Sequence, residues 1–253
     1  GRGEQILLTD QDHALVFEDV PEDVMDTTQH YFLKLASEVS SIFNELGYVY
    51  CPAEMMASNP NYCLSLSQWK KQFQKWIEEP SSQHMMMCSI FFDYARIYGE
   101  EDLSSQLNNF ILQNTKNNQR FFAYLGEDAV KTPPPLSFFR QFIIEEDGEH
   151  QDEFDLKARA IQPLVDAARV LVLSEGHRHI SNTIERFEKM IELEPQNEDI
   201  FSRCIHSFHV LSKFRSAEGF RTQSTGRYLE LSNLNKSDKI KLKQAFKPIR
   251  EVQ

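Results

Sequence analysis

The 253-residue chain has few cysteines, no long apolar run and fewer basic than acidic residues. Its four cysteines lack the close pairing of zinc sites, which predicts reduced thiols and a cytoplasmic protein. It contains no run of about eighteen apolar residues and no signal-peptide pattern, so we expect a soluble protein without a membrane span. Lys and Arg number 27 against 38 Asp and Glu, and the net charge of −11 disfavours a nucleic-acid partner.

What is present is the composition of a globular protein, with 41% hydrophobic and 26% charged residues. A chain of this length is expected to form two domains. The segment KTPPPLSFF, around Pro133, Pro134 and Pro135, is the best linker candidate. We therefore predict one domain over residues 1–128 and a second over residues 129–253. The run Glu145–Asp155 contains seven acidic residues and no Lys or Arg, which is typical of a solvated loop.

Hydrophobic periodicity predicts both helices and strands in the first domain. Helices are predicted over residues 22–46, ending at Gly47, and from Ser67 to the residue before Pro80. Strands are predicted at residues 15–17, at 47–50 and in MMMCSIFFD, which would deliver Asp93 at its end. Beyond the linker almost everything has helical periodicity, with a capping pattern from Asn182 to Glu185.

Two carboxylates stand one residue apart in the opening stretch GRGEQILLTDQDHALVFED. In a strand, Asp10 and Asp12 would project from one face, and Gln11 and His13 from the other. Two like charges side by side repel unless a cation lies between them, and Mg²⁺ with oxygen ligands is the natural cation. Asp-x-Asp is also common by chance in turns and on solvated strand ends.

The ordered motifs of the chain resemble a known family. The sequence is similar to nucleotidyltransferases related to the N-terminal part of protein-PII uridylyltransferase, which occur in bacterial signalling proteins with CBS and cyclic-nucleotide-binding-type domains. The matching pieces of the first domain are GRGEQILLTDQDHAL, LGYVYCPAEMMASNP, SLSQWKKQFQKWI and IFFDYARIYG. Those of the second domain are FDLKARAIQPLVDAARVLVL, NTIERFEKM and IKLKQAFKPIREVQ.

The resemblance implies an α+β protein, in which a nucleotidyltransferase-fold domain with a mixed sheet precedes an all-α helical bundle. The family's first strand and Gly-Ser turn are expected upstream of Gly1. The implied activity is Mg²⁺-dependent transfer of an NMP from an NTP to a protein or small-molecule acceptor, with Mn²⁺ as the alternative ion. Regulatory domains are expected upstream, and no membrane partner is expected.

The resemblance also assigns roles to individual residues. Asp10, Asp12 and Asp93 are the expected catalytic and metal-binding carboxylates, because two metal ions require several carboxylates to hold them. The expected substrate residue is Asn59, whose alternative role is to start the turn before Pro60. The expected nucleotide-binding residues are Gly1, Arg2, Gly3, Arg96 and Lys157.

Several of these residues have a structural alternative. Asp93 could cap a helix or pair with Arg96, and Arg2 could pair with a neighbouring carboxylate. Lys157 could be a solvated lysine at a helix end. The rival to the enzyme is a catalytically silent module that keeps the fold and senses nucleotide or binds partners within a signalling protein.

Overall fold

The computed structural model describes residues 1–132, 135–137 and 141–253. Within these ranges the chain forms helices and four short strands. The strands are β1 Leu15–Phe17, β2 Cys63–Ser65, β3 Glu153–Asp155 and β4 Tyr228–Glu230. The helices are α1 Glu22–Glu45, α2 Leu66–Glu78, α3 Ser82–Phe91, α4 Glu101–Thr115, α5 Gln119–Ala129, α6 Gln162–Ser174, α7 Thr183–Leu193, α8 Glu198–Thr222, α9 Lys236–Ala245 and α10 Lys247–Val252. A π-helical turn at Lys157–Ile161 leads into α6.

The strands pair two by two. β1 and β2 are parallel, with Leu15 opposite Cys63, and β3 and β4 are antiparallel, with Glu153 opposite Glu230. The protein is therefore α+β and mostly helical, as the α+β prediction requires. In the described part of the chain the named strands form two separate two-stranded sheets and not the single mixed sheet that the resemblance implied.

The chain divides into two compact units. The larger unit comprises Gly1–Leu7, Pro80–Ala95 and Lys116–Gln253, and the smaller unit comprises Leu8–Glu79 and Arg96–Thr115. The predicted boundary between residues 128 and 129 rests on a proline-rich linker and not on contacts within the fold, so it stays a prediction. Pro133 and Pro134 of that linker lie outside the described residues. Among the described helices, none is long and apolar enough to cross a membrane.

The smaller unit is organised around α2. Ser65 caps this helix with a capping box to Gln68, and the Asp19 carboxylate accepts hydrogen bonds from Ser65 Oγ at 2.7 Å and the Ser67 amide at 2.9 Å. The predicted helix before Pro80 is confirmed, and α2 buries its apolar side chains on one side. The buried residues of this helix are Leu66, Trp69, Phe73, Trp76 and Ile77.

The predicted strand in MMMCSIFFD is wrong, because residues 85–91 lie in helix α3 and Asp93 in the turn that follows it. Ser81 begins the helix by accepting a hydrogen bond from the His84 amide at 3.2 Å. A short, continuous apolar run shows no periodicity, so the sequence does not distinguish a buried strand from a buried helix. Met85 and Met87 are buried while Met86 is 47% exposed, an alternation that imitates the period of a strand although the backbone is helical.

The larger unit has a helical core. Its buried cluster draws on α6 to α10 and on the β3–β4 pair, whose Phe154 is fully buried. Asn182 caps α7 by accepting from the Ile184 amide at 2.9 Å, which confirms the predicted cap. The solvated loop predicted for Glu145–Asp155 is wrong at its end, because β3 begins there and Asp155 is 4% exposed.

Candidate functional site

Asp10 and Asp12 lie together in the smaller unit. The backbone of Asp10 pairs in parallel with Val49, and the Gln11 amide donates to the Val49 carbonyl at 2.9 Å. Ligand atoms of Asp10, Asp12 and Cys51 all lie within 4.8 Å of one another. The structure thus places the two carboxylates side by side, as strand alternation predicts.

Gln11 and His13 fix this segment from its other side. Gln11 is 4% exposed, and its amide donates to the carbonyls of Ser40 at 3.0 Å and Tyr48 at 2.8 Å. His13 Nδ1 accepts from the Ala57 amide at 3.1 Å, so Nε2 is left to donate to Gln11 Oε1 at 3.0 Å. Burial lowers the pKa of His13, which favours the neutral ring that this arrangement needs. The backbone that carries the two carboxylates is therefore fixed by hydrogen bonds.

Cys51 adds a thiol to the carboxylate pair. Burial raises the pKa of the thiol, and Asp12, which accepts its hydrogen bond, raises it further. A protonated thiol is a poor metal ligand, so the effective donors are two carboxylates. Such a hard oxygen set suits Mg²⁺ or Mn²⁺ better than Zn²⁺. Oxygens that share one Mg²⁺ lie at most about 4.2 Å apart, close to the 4.8 Å within which the ligand atoms here lie. The residues fit a divalent ion.

Asp93 lies in the larger unit, where arginines surround its carboxylate. Arg169 Nη2 donates to Oδ2 at 2.7 Å, and Arg186 Nη2 donates to Oδ1 at 2.5 Å. Asp93, Arg169 and Arg186 are 3%, 2% and 0% exposed. Burial alone would raise the pKa of Asp93, but the two guanidinium groups hold it well below its usual range. Its role as third metal ligand stays a prediction, since the described contacts of its carboxylate are with arginines.

The segment Gly1–Glu4 lies against the start of α7. Arg2 Nε donates to Glu4 Oε2 at 2.7 Å, and Arg2 Nη1 lies 3.3 Å from Asp93 Oδ2. Glu4 Oε1 accepts from the Thr183 amide at 2.6 Å, so Glu4 supplements the helix cap. The carboxylate pairing considered for Arg2 is therefore present in the structure.

The two glycines of this segment have different surroundings. A Cβ on Gly1 would lie 1.3 Å from the Asp93 carbonyl oxygen, so a larger residue would displace the segment. Gly3 has φ +69°, which favours glycine, and no atom lies within 4 Å of where its Cβ would be. Their predicted role in nucleotide binding is not tested by these contacts.

Arg2 and Lys157 line one small pocket of the larger unit. Arg215 of α8 lines it as well, and Glu4 is the acidic residue in its wall. The cavity between these residues is small, with a volume of about 30 Å³. Lys157 is exposed and begins the π-helical turn before α6. The structure thus brings two of the predicted nucleotide-binding cations together.

The two remaining predicted residues have local roles in the smaller unit. Asn59 Oδ1 accepts from the Asn61 amide at 3.0 Å, so it starts the turn at Pro60, as its structural alternative predicted. Arg96 Nη1 donates to the Gly99 carbonyl at 2.9 Å, and its Nη2 lies 3.7 Å from Glu101 Oε2. These contacts leave the predicted substrate and nucleotide roles untested.

Sequence reasoning missed three arginines of the larger unit. Arg169 offered a signal, because Asp166 lies three residues before it in the apolar helix α6 and pairs with it. Arg186 is fully buried, which is rare for arginine. Arg215 gave no signal, because its place in the pocket depends on how α8 packs against the π-helical turn.

Two family models match the chain. One, described as "Putative nucleotidyltransferase DUF294", matches residues 1–83. The other, described as "Putative nucleotidyltransferase substrate binding domain", matches residues 119–253, which is more than half of the chain. Comparison with curated proteins gave no match, and neither did comparison with solved structures. The carboxylate pair lies in the first matched range, and Lys157 and Arg215 lie in the second.

Proposed function

The chain belongs to this DUF294 nucleotidyltransferase family, and from that premise we propose that it transfers an NMP from an NTP to an acceptor in a Mg²⁺-dependent reaction. Family membership confirms the resemblance seen in the motifs and supports nucleotidyl transfer as the reaction type. The proposal has four further parts. The specificity resembles that of protein-PII uridylyltransferase, and the acceptor is a protein or a small molecule. Regulatory domains lie upstream, and the protein acts in signal transduction in the cytoplasm.

The observation that carries the proposal is the convergence of Asp10 and Asp12. Their ligand atoms lie within 4.8 Å on a segment that Gln11 and His13 hold in place. Nucleotidyl transfer needs charge neutralisation and in-line positioning more than covalent help from the protein. A bound Mg²⁺ would neutralise phosphate charge and align the attacking and leaving oxygens. Asp10 and Asp12 would hold the ion, and the fixed backbone would set its position.

The nucleotidyltransferase sheet is part of the same proposal. In the smaller unit β1 and β2 are parallel, and the Asp10–Val49 pairing is parallel too. We propose that these pairings belong to the family's mixed sheet, so that the carboxylate pair stands just before the β1 strand.

Metal binding gives a test that needs no knowledge of the acceptor. Mn²⁺ binding in the presence of each of the four NTPs can be followed by electron paramagnetic resonance. We expect Asp12→Asn to weaken Mn²⁺ binding about tenfold or more, because one of two charged ligands is lost. Asp26→Asn, an equal charge change at an exposed site of α1, is the matched control. Equal Mn²⁺ binding by wild type and both variants would contradict the proposal.

The contacts of Asp93 favour a second candidate, the catalytically silent module. Its carboxylate is paired with Arg169 and Arg186, which leaves the pair Asp10 and Asp12 to hold metal. A module of this kind would bind NTP and Mn²⁺ but release no pyrophosphate from any of the four NTPs. Pyrophosphate release that is lost in Asp12→Asn and kept in Asp26→Asn would exclude it.

A further inference from the structure

We propose that an exposed face of helix α1 binds a second copy of this chain, through the basic face of that copy's helix α9. Helix α1 belongs to the smaller unit and α9 to the larger unit, so the contact joins the smaller unit of one copy to the larger unit of another. The contact uses residues apart from the metal site and is independent of the proposed function.

Helix α1 buries little of its surface. It is 24 residues long, but its buried residues are only Ala36 and Ser40. Exposed apolar residues recur along it at intervals of seven and four residues, which places them on one face of the helix. These exposed residues, hereafter the α1 stripe, are Val24, Tyr31, Leu35, Ile42 and the C-cap Leu46. An exposed apolar stripe of this length is typical of an interaction surface.

Acidic side chains accompany the α1 stripe. Glu38 lies three residues after Leu35, and Glu45 lies three residues after Ile42, so both flank the stripe on the helix surface. Both carboxylates are exposed, and in the part of the chain that the structure describes neither takes part in an ion pair. Helix α1 has five acidic residues and one lysine. An apolar stripe with an acidic border favours a partner surface that is basic and partly apolar.

Helix α9 presents the opposite charge. Lys236 lies four residues before the exposed Ile240 and Lys243 three residues after it, so the two lysines flank this isoleucine. Lys239 is a neighbour of both lysines on the helix surface, and these four residues are hereafter the α9 face. Within the described ranges the three lysines form no ion pair. Residues 236–253 have six basic and two acidic residues in a chain of net charge −11, so this surface is a local exception.

The ends of the two helices give the contact a direction. A negative charge is unfavourable at the C-terminal end of a helix, and a positive charge is unfavourable at its N-terminal end. Glu45 is the last residue of α1 and Lys236 is the first residue of α9, so each lies at the unfavourable end of its own helix. A contact that brings Lys236 of the second copy to Glu45 compensates both charges.

The lengths of the two surfaces agree with this direction. The ten residues of α9 span about 15 Å, and the part of the α1 stripe from Leu35 to Leu46 spans about 17 Å. This is the part of the stripe that Glu38 and Glu45 border. Because one chain supplies both faces, every copy of the protein carries the complement of the α1 stripe. Such a contact closes into a dimer when it is made twice about a two-fold axis.

Sedimentation equilibrium of the intact chain in EDTA measures self-association without metal. The average mass of wild type should rise above the 29.6 kDa of one chain as the concentration approaches about 1 mM, the Kd of a very weak complex. Ile42→Ser should weaken this association several-fold, because less apolar surface is buried in the contact.

Charge reversal tests each face. The α1 variant carries Glu38→Lys and Glu45→Lys, and the α9 variant carries Lys236→Glu and Lys239→Glu. We expect each variant alone to associate at least about tenfold more weakly than wild type, because like charges then lie opposite each other. The reversals at the two helix ends place charges that the helix dipole favours, so the fold is kept. Lys243 is left unchanged because it lies 5.2 Å from the centre of the Phe142 ring.

Mixing the two variants tests the pairing itself. In an equimolar mixture the lysines of the α1 variant meet the glutamates of the α9 variant, and the two unchanged faces also have opposite charge. We expect the mixture to associate as tightly as wild type. The matched control carries Glu127→Lys and Glu188→Lys, an equal charge change at exposed sites of α5 and α7, and should also associate like wild type.

Several results would overturn the proposal. One is a wild-type mass that stays at 29.6 kDa up to about 1 mM. Another is self-association of both charge variants as tight as that of wild type, which would assign the α1 stripe to a contact without charge pairing. A third is a mixture that associates no better than its two components. Asp12→Asn should associate like wild type, which separates this contact from the proposed function.

Discussion

The arginine cluster around Asp93 gives a stability prediction that is independent of any activity. The Asp93 carboxylate is buried and contacts Arg169, Arg186 and Arg2. Asp93→Asn removes the negative charge at nearly constant volume. The larger unit would then hold buried guanidinium groups without their shared counter-charge, which is strongly unfavourable in a protein interior.

The loss of stability in Asp93→Asn depends on the contacts that each arginine keeps. Breaking a buried ion pair by removing one partner costs about 3–5 kcal/mol. Arg169 keeps its contact with Asp166, and Arg186 keeps its hydrogen bond to the Ile180 carbonyl at 2.9 Å. We therefore expect the lower end, about 3 kcal/mol, which corresponds to a Tm lower by about 6–12 °C for a unit of about 150–250 residues.

The pH dependence of this effect has a definite sign. The folded-state pKa of Asp93 lies well below the ordinary value of 3.8. Because the folded value is depressed, the stabilisation is fully present above the unfolded pKa of about 3.9 and is lost as pH falls toward the folded value. The stability difference between wild type and Asp93→Asn should be constant from about pH 7 to pH 5 and shrink below about pH 4.

Urea denaturation of wild type and variants measures the difference. Asp199→Asn is the control, since it removes a carboxylate that is 85% exposed and pairs with the surface residue Arg203. We expect the control to keep the wild-type midpoint, because exposed ion pairs contribute little. The reasoning would be refuted if Asp93→Asn kept the midpoint too, or if its deficit grew as the pH fell below 4.

Two further predictions concern the smaller unit and Lys157. Phe73→Ala should destabilise the smaller unit by about 3–5 kcal/mol, because Phe73 is 2% exposed between two tryptophans. Both tryptophans of the chain lie in α2, so their fluorescence during denaturation reports this loss, and an unchanged transition would contradict it. Lys157→Ala should raise the KM or Kd for NTP several-fold with an unchanged midpoint, because a phosphate-binding charge is lost. Exposed Lys213→Ala is its control, and equal affinities by calorimetry with Mg²⁺ would make Lys157 a solvated side chain.

Local structure in the smaller unit could be predicted where periodicity and boundary signals agree. Helix α1 ends before Gly47, whose φ is +99°, and α2 ends before Pro80. Helix α3 could not be predicted in the same way, because its apolar residues show no helical period and its start depends on a single serine cap. Apolar runs of this kind take their conformation from the surrounding core.

The candidate site divides along a similar line. The proximity of Asp10 and Asp12 follows from alternation within three residues, which sequence displays directly. The partners of Asp93 lie 76 and 93 residues further along the chain. A pairing over that distance is set by how α6 and α7 pack. The place of Asp93 at the end of an apolar segment therefore could not identify its arginine partners.

Arg2 combines a role that the sequence predicted with contacts that it did not predict. Its side chain lies 3.3 Å from Asp93 Oδ2, pairs with Glu4 at 2.7 Å and lines the small pocket that Lys157 and Arg215 also line. It is 31% exposed, so it is the one arginine contacting the Asp93 carboxylate, among the described residues, whose side chain is not buried. The family resemblance implied a nucleotide-binding role for Arg2, and that role stays a prediction. In the structure Arg2 and Glu4 line one small pocket of the larger unit with Arg215 of α8 and Lys157 of the π-helical turn, a grouping set by how α8 packs and not by local sequence.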